Sequence, residues 1–293
     1  MILVVAMQIR SRSEPEKELD DSPSALDPLT ANACLAVLSA GLICALFLVV
    51  LVLIDVWLLT PIAAAAVLTT IPLATAIAER GVRRASPIAL GAIGATLVAA
   101  GLIGLSFVTH RELGWAIITL TLVGSGLGLA FPGLTTAALA SVGPAAARAA
   151  KTVAARDAGI VLGLLVLTPV FVNQLNKAPN QALTAATSAV LTAPIPLGTK
   201  LSLAPGLVTD YKRASQSELP DFAPTFAHAS AGATPSERTA LNALHEQLDS
   251  IFQREATNAF KLPLRYGAIF AILVLPLLGV RLSRRTANSA DHV

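Results

Sequence analysis

The chain predicts an all-α membrane protein: a six-helix transmembrane bundle with a large helical insertion between the last two spans. Two observations lead there. Six apolar stretches, at about 32–58, 60–78, 87–108, 114–136, 157–175 and 264–282, each approach the roughly 20 residues a helix needs to cross a bilayer. The composition agrees: mean hydropathy is +0.69, 54% of residues are hydrophobic and 13% are charged, against about 25% charged in a soluble domain. In lipid an open segment must satisfy its own backbone, which a helix does and an isolated strand does not.

Residues 1–9 are apolar but short, and their positive charges, Arg10 and Arg12, follow the apolar run. A secretory signal has the reverse order. Residues 1–9 therefore read as the end of a preceding span, and 10–31 as a cytoplasmic linker. Cys34 and Cys44 share the first span, ten residues apart. That spacing is roughly 15 Å along a helix axis, too far for a bridge within one chain, so both read as small apolar residues. The four histidines are scattered and no metal-ligand spacing occurs. The sequence pI near 9.1 does not indicate nucleic-acid binding, because the basic residues fall in small groups between apolar stretches.

Loop charge sets the topology. Short loops rich in Lys and Arg stay in the cytoplasm. The loop after the second span carries Arg80, Arg83 and Arg84; the one after the fourth carries Arg148, Lys151 and Arg156; the tail (283–293) follows Arg281 with Arg284 and Arg285. The alternate loops are poor in charge. Residues 32–175 thus hold five spans, 176–263 lie outside the cell, and both termini are cytoplasmic in a multi-pass plasma-membrane protein.

The outer segment has three parts. Pro179 to Pro205 is rich in Ala, Thr and Leu; Ser215 to Thr234 reads as irregular; an amphipathic helix of roughly 25 residues follows. Thr234, Pro235 and Glu237 form a capping box at its start. Leu241, Leu244, Leu248, Ile251 and Phe252 recur at helical spacing, and Phe260 closes the stripe. This helix can pack on the rest of the outer segment as a cap, lie on the membrane, or bind a partner.

Small residues let membrane helices approach closely. Gly91, Gly94, Gly101 and Gly104 in the third span, Gly124, Gly126 and Gly128 in the fourth, and Gly159 and Gly163 in the fifth supply such faces. Gly128 to Gly133 around Pro132 has a second reading, a bent helix of the kind that lines a moving cavity. Pro61, Pro72, Pro169 and Pro276 are further weak points. Ionisable groups within the spans are few: Asp55 near the outer end of the first, and Arg156 with Asp157 at the entrance of the fifth, a charged-gate candidate. Hydroxyls on the helix faces (Thr69, Thr70, Thr96, Thr119, Thr121, Ser125, Thr135, Thr136 and Thr168) suit a lining for hydrophobic compounds. The substrate-lining candidates are Thr69, Thr70, Thr121, Ser125, Gly128, Pro132 and Thr168. No Ser/His or Asp pair at span depth, no metal motif and no phosphate-cradling Gly-Lys loop points to an enzyme.

Three stretches resemble the C-terminal half of a major facilitator superfamily transporter, of the multidrug proton-antiporter branch. Gly124-Ser-Gly-Leu-Gly-Leu-Ala-Phe-Pro-Gly133, continued by Leu134 to Leu139, is similar to that branch's tenth helix. Ala155-Arg-Asp-Ala-Gly159 with Gly163 resembles the start of its eleventh. Ala78 to Arg84 (Glu79, Arg80, Gly81, Arg83, Arg84) resembles its degenerate cytoplasmic motif. The resemblance covers about 27–175 and 264–285 and leaves the outer segment aside. It implies a 3+3 repeat, no cofactor, and alternating access by two halves rocking about a midplane site. Residues 1–9 would be the end of the sixth helix; the full cytoplasmic motif, the antiporter motif and the usual proton-coupling acid would belong to an N-terminal half. The functional expectation is a half-permease exporting small hydrophobic compounds, working in the bilayer with a separately encoded half or a second copy of itself. The alternative is a truncated, non-transporting scaffold or sensor with an outer cap.

Overall fold

The computed structural model describes residues 26–81, 86–108, 112–141, 143–213 and 220–290, with side chains described as far as Gly279. Residues 1–9, most of the 10–31 linker and the motif residues Arg83 and Arg84 lie outside the described residues.

Every element among them is helical. α1 (Pro28–Leu51) ends in a π-helical turn, Val52–Val56, that contains Asp55. α2 (Pro61–Leu68) and α3 (Thr70–Arg80) form the second span. Then come α4 (Pro87–Ser106), α5 (Leu113–Leu139), α6 (Ala145–Thr192), α7 (Leu197–Arg213), α8 (Ala223–Ser230) and α9 (Pro235–Ala290). Six of the helical stretches are long and apolar enough to cross a membrane.

Local chemistry explains the boundaries. Thr60 accepts from the Ala63 amide ahead of α2, and Ser86 from the Ala89 amide ahead of α4; a proline follows each cap. The α1–α2 turn is tight, with Leu58 at a positive φ of 51°. The second span breaks at Thr69 because Pro72 lacks the N–H that would reach Leu68 and its ring crowds that carbonyl. Arg148 donates to the Leu139 carbonyl at 2.8 Å, so the start of α6 closes the end of α5.

Two cores run through the bundle. Toward the start of α1, Cys34, Leu35 and Leu38 pack with Ala95, Leu134 and Val274. Toward its end, Cys44, Leu48 and Leu53 pack with Leu102, Leu120, Leu167 and Leu264. In the bundle the most extensive contacts are α4 with α5, α1 with α6, α3 with α5, α1 with α9, α4 with α9, α6 with α9 and α1 with α5; α5 also touches α6, and in the cap α7 meets α8 and α8 meets α9.

The outer segment differs from the sequence expectation in continuity. The helix does not stop where the apolar stretch of the fifth span ends near 175: α6 runs unbroken for 48 residues, about 72 Å at 1.5 Å per residue, against a hydrocarbon layer about 30 Å thick. The last apolar stretch does not open a helix of its own near 264, since α9 holds both it and the amphipathic stretch in 56 residues. Pro169, Pro179, Pro263 and Pro276 are carried inside these helices. α6 stops only where Ala193 turns extended before Pro194. Within the segment expected to be irregular, Ala223–Ser230 forms α8, because Phe222 and Phe226, one turn apart, are both buried in the same core.

The capping box is present. The Thr234 amide donates to Glu237 at 2.9 Å and the Glu237 amide to Thr234 Oγ1 at 3.4 Å. Leu241, Leu244, Leu248 and Phe252 pack on Ala182, Leu203, Phe222 and Phe226. Of the three uses open to this helix, the fold takes the first, a cap with its own core. Phe260 belongs instead to the bundle, beside Phe171 at 5.0 Å between ring centroids. In the cap, buried Asp210 accepts from Thr225 and Arg213. His245 stacks on Phe226 and pairs with Asp249 at 3.4 Å. Burial still raises the Asp249 carboxyl above its ordinary value; His245 opposes the shift and Asp221 adds to it.

Candidate functional site

The glycines take up the closest helix contacts. A Cβ on Gly94 would meet the Gly126 carbonyl, and one on Gly126 would meet that of Gly94, which locks α4 to α5. Gly124 and Gly128 face the backbone of Ile71 and Thr75 on α3; Gly159 and Gly163 face Ala36 and Ala40 on α1. Packing is thus what these positions do in the fold. Gly128, a lining candidate, is filled by its contact with Thr75 and Ala78. α5 runs through Pro132 without interruption.

The other lining candidates are distributed. Thr121, Ser125 and Pro132 fall on one stripe of α5, with Ile118 and Thr136 at its ends; Ile118, Thr121 and Thr136 are exposed and the other two half-buried. Helical spacing places this stripe between the flank that meets α3 and the flank that meets α4. Thr69 and Thr70 sit at the kink of the second span, and Thr168 is exposed on α6. Their hydroxyls are held locally: Thr69 donates to Ala65, Thr70 to Val67, Thr121 to Ile117 and Thr168 to Leu164, all at 2.7–2.8 Å. Such hydroxyls leave an apolar surface with oxygen lone pairs on it.

Thr75, absent from the lining candidates, has a hydroxyl that donates from one span to another. It donates to the Gly124 carbonyl at 2.9 Å, as well as to Ile71. Its signal in the sequence was its place one turn before Glu79, on the face that α5 covers with glycines.

The charged-gate candidates separate. Arg156 lies over the Phe131 ring at 5.3 Å, a cation–π contact between α6 and α5, while Asp157 is exposed. Glu79, Arg80 and Gly81 end α3, all exposed. Among the described residues the ion pairs are Arg213–Asp210 and His245–Asp249, both in the cap. There too, no group of three His, Cys, Asp or Glu side chains comes together.

Coverage is uneven across the spans. α1, α4 and α5 bury half of their apolar stretch, whereas the second span buries 17% and α6 22%. Leu73 and Ile77 on α3, and Leu162, Leu165 and Val172 on α6, are large, apolar and exposed. The least covered helices are therefore those of the second span and α6.

A small cavity of about 30 Å³ lies where the bundle meets the cap, lined by α1, α4 and α9. None of the lining candidates borders it. No known family model matches the chain, and no curated protein matches it.

Proposed function

We propose that this chain is one half of a two-bundle membrane transporter that exports small hydrophobic compounds. The observation that carries this reading is the pairing of its spans. Exchange α1 with α5, the second span with α6, and α4 with α9. The α1–α6 contact then becomes α5–α3, and α4–α5 becomes α9–α1, while α1–α5 and α4–α9 map onto themselves; the α6–α9 contact alone among the large ones has no counterpart, between the second span and α4. A 3+3 repeat makes such a pattern, and so does a transporter half built from it.

Coverage supports the same reading. A half-bundle that docks on a second half keeps apolar faces on its flanking helices, and α3 and α6 have them. With both termini in the cytoplasm, the α6 and α9 extensions carry the cap outside the cell. Hydroxyl-bearing, otherwise apolar surfaces on α5 and α6 suit a hydrophobic substrate. A second reading, a sensor or scaffold without transport, is favoured by the separate core of the cap.

The test is reconstitution of the chain in proteoliposomes, alone and with any six-helix partner encoded beside it, followed by efflux of a hydrophobic dye against a proton gradient. Efflux in either case supports the transporter. Its absence in both, with cysteines at Ile77 and Leu165 forming no cross-links between chains, overturns it.

A further inference from the structure

The cavity at the junction of bundle and cap joins three features that the transport reading does not use. Its walls are apolar, Val49, Leu105 and Leu264 among them. Trp57, also in its lining, is 2% exposed, and its Nε1–H has no acceptor. A buried donor without a partner is costly and rare.

The third feature is charge. Lys261 lines the cavity. Arg254 and Arg265, seven residues before and four after it, share its side of α9 within about 40° at 100° per residue. None of the three forms an ion pair among the described residues. Glu255, whose charge acts on Lys261, accepts from Asn258 at 3.2 Å and forms an ion pair with none of the three. Arg265 reaches only the Ser106 hydroxyl, at 3.5 Å. Three cations with no acid in bonding range, at the end of an apolar stretch, are set out for an anion.

Size and position narrow the ligand. A volume of 30 Å³ holds about two water-sized groups, the two free oxygens of a carboxylate or a phosphodiester. Leu262, beside Lys261, and Ile269, two turns further on, are exposed about a quarter-turn round α9 from Lys261, so an aliphatic tail has a path along the helix toward the bilayer. Trp gathers where the bilayer meets water, and Lys and Arg near the end of a span reach toward that interface.

We propose that this junction binds the anionic head of an amphiphile: Lys261 holds the head, Trp57 packs beside it, Arg254 and Arg265 supply the field, and the tail follows α9 into the membrane. The two sources of this chemistry are an anionic phospholipid of the bilayer and a free fatty acid. The inference needs the bundle to sit in lipid but not to transport, so a chain inactive in efflux still shows it.

The experiment uses the two tryptophans of the chain. In the Trp115→Phe variant, Trp57 alone emits. The full chain is placed in nanodiscs containing brominated phosphatidylglycerol or, at equal mole fraction, brominated phosphatidylcholine. Quenching of Trp57 is expected to be about fivefold more effective for the anionic lipid, the preference one basic contact gives, and Lys261→Gln is expected to abolish the difference. A parallel arm adds doxyl-labelled stearate or its methyl ester to phosphatidylcholine discs. Quenching by the acid alone assigns the site to fatty acids, and quenching by phosphatidylglycerol alone assigns it to the bilayer. Equal quenching by charged and neutral probes in both arms overturns the proposal, as does a preference that survives Lys261→Gln. Should Trp115→Phe not fold, native mass spectrometry of the unsubstituted chain carries the same comparison. One phosphatidylglycerol retained per chain and lost in Lys261→Gln supports the site; equal retention of both lipids overturns it.

Discussion

Gly159 on α6 lies against the backbone of Ala36 on α1 with no room for a Cβ between them. One turn on, Gly163 meets Ala40, and its carbonyl accepts from the Cys44 thiol at 3.8 Å. The neighbour at Gly159 is backbone, which cannot rotate aside. In lipid the attraction between helices is mostly close packing rather than exclusion of water. Gly159→Val should therefore destabilise the bundle by at least about 1–3 kcal/mol, read as a shift in SDS-induced unfolding in mixed micelles. Gly114, with nothing within 4 Å of its missing Cβ, is the control; Gly114→Ala should stay within about 0.5 kcal/mol.

Hydroxyls in the spans divide into two kinds. Thr75 bonds across to Gly124, whereas Thr121 bonds only to its own helix. Thr75→Val should cost about 0.6 kcal/mol, the average for such bonds in membranes, in the same unfolding measurement. Thr121→Val should leave stability unchanged and alter dye efflux instead. A stability loss at Thr121 equal to that at Thr75 would count against its surface role.

Leu244 is 2% exposed in the core of the cap. Leu244→Ala leaves a cavity there and should cost about 2–5 kcal/mol. Hydrogen exchange should show lost protection in α7, α8 and the first turns of α9, with the amides of α4 and α5 unaffected. Loss of protection throughout the bundle would mean that cap and bundle unfold together.

The Thr234 amide and hydroxyl both hold the Glu237 carboxylate, lowering its pKa below the ordinary 4.5. A depressed acid stabilises the fold above its unfolded pKa, and that contribution disappears as the pH falls through the folded value. Amides at the start of α9 should then exchange faster, after correction for intrinsic rates, as the pH falls below about 4.5. In Glu237→Gln that acceleration should vanish.

Membrane spans, caps and contact faces are local patterns, which is why they were readable along the chain. Six apolar stretches predict six crossing helices because lipid leaves the backbone no other open arrangement. Thr234 and Glu237 are three residues apart and needed no distant partner to find each other. The pair Gly159 and Gly163 announced a close approach for the same reason.

The amino-acid sequence alone thus determined the helical class, six stretches long and apolar enough to cross a membrane, and the residues able to touch closely. Tertiary structure decided which helix each of them meets: α1 for Gly159, α3 for Gly128, α4 for Gly126. It also decided that α6 and α9 run on into the cap, that Phe260 joins the bundle, and that Trp57 and Lys261, about two hundred residues apart in the chain, border one cavity. The physical reason is that a side chain's own periodicity records which face of its helix it occupies, whereas its neighbour on another helix is chosen by the packing of the whole bundle.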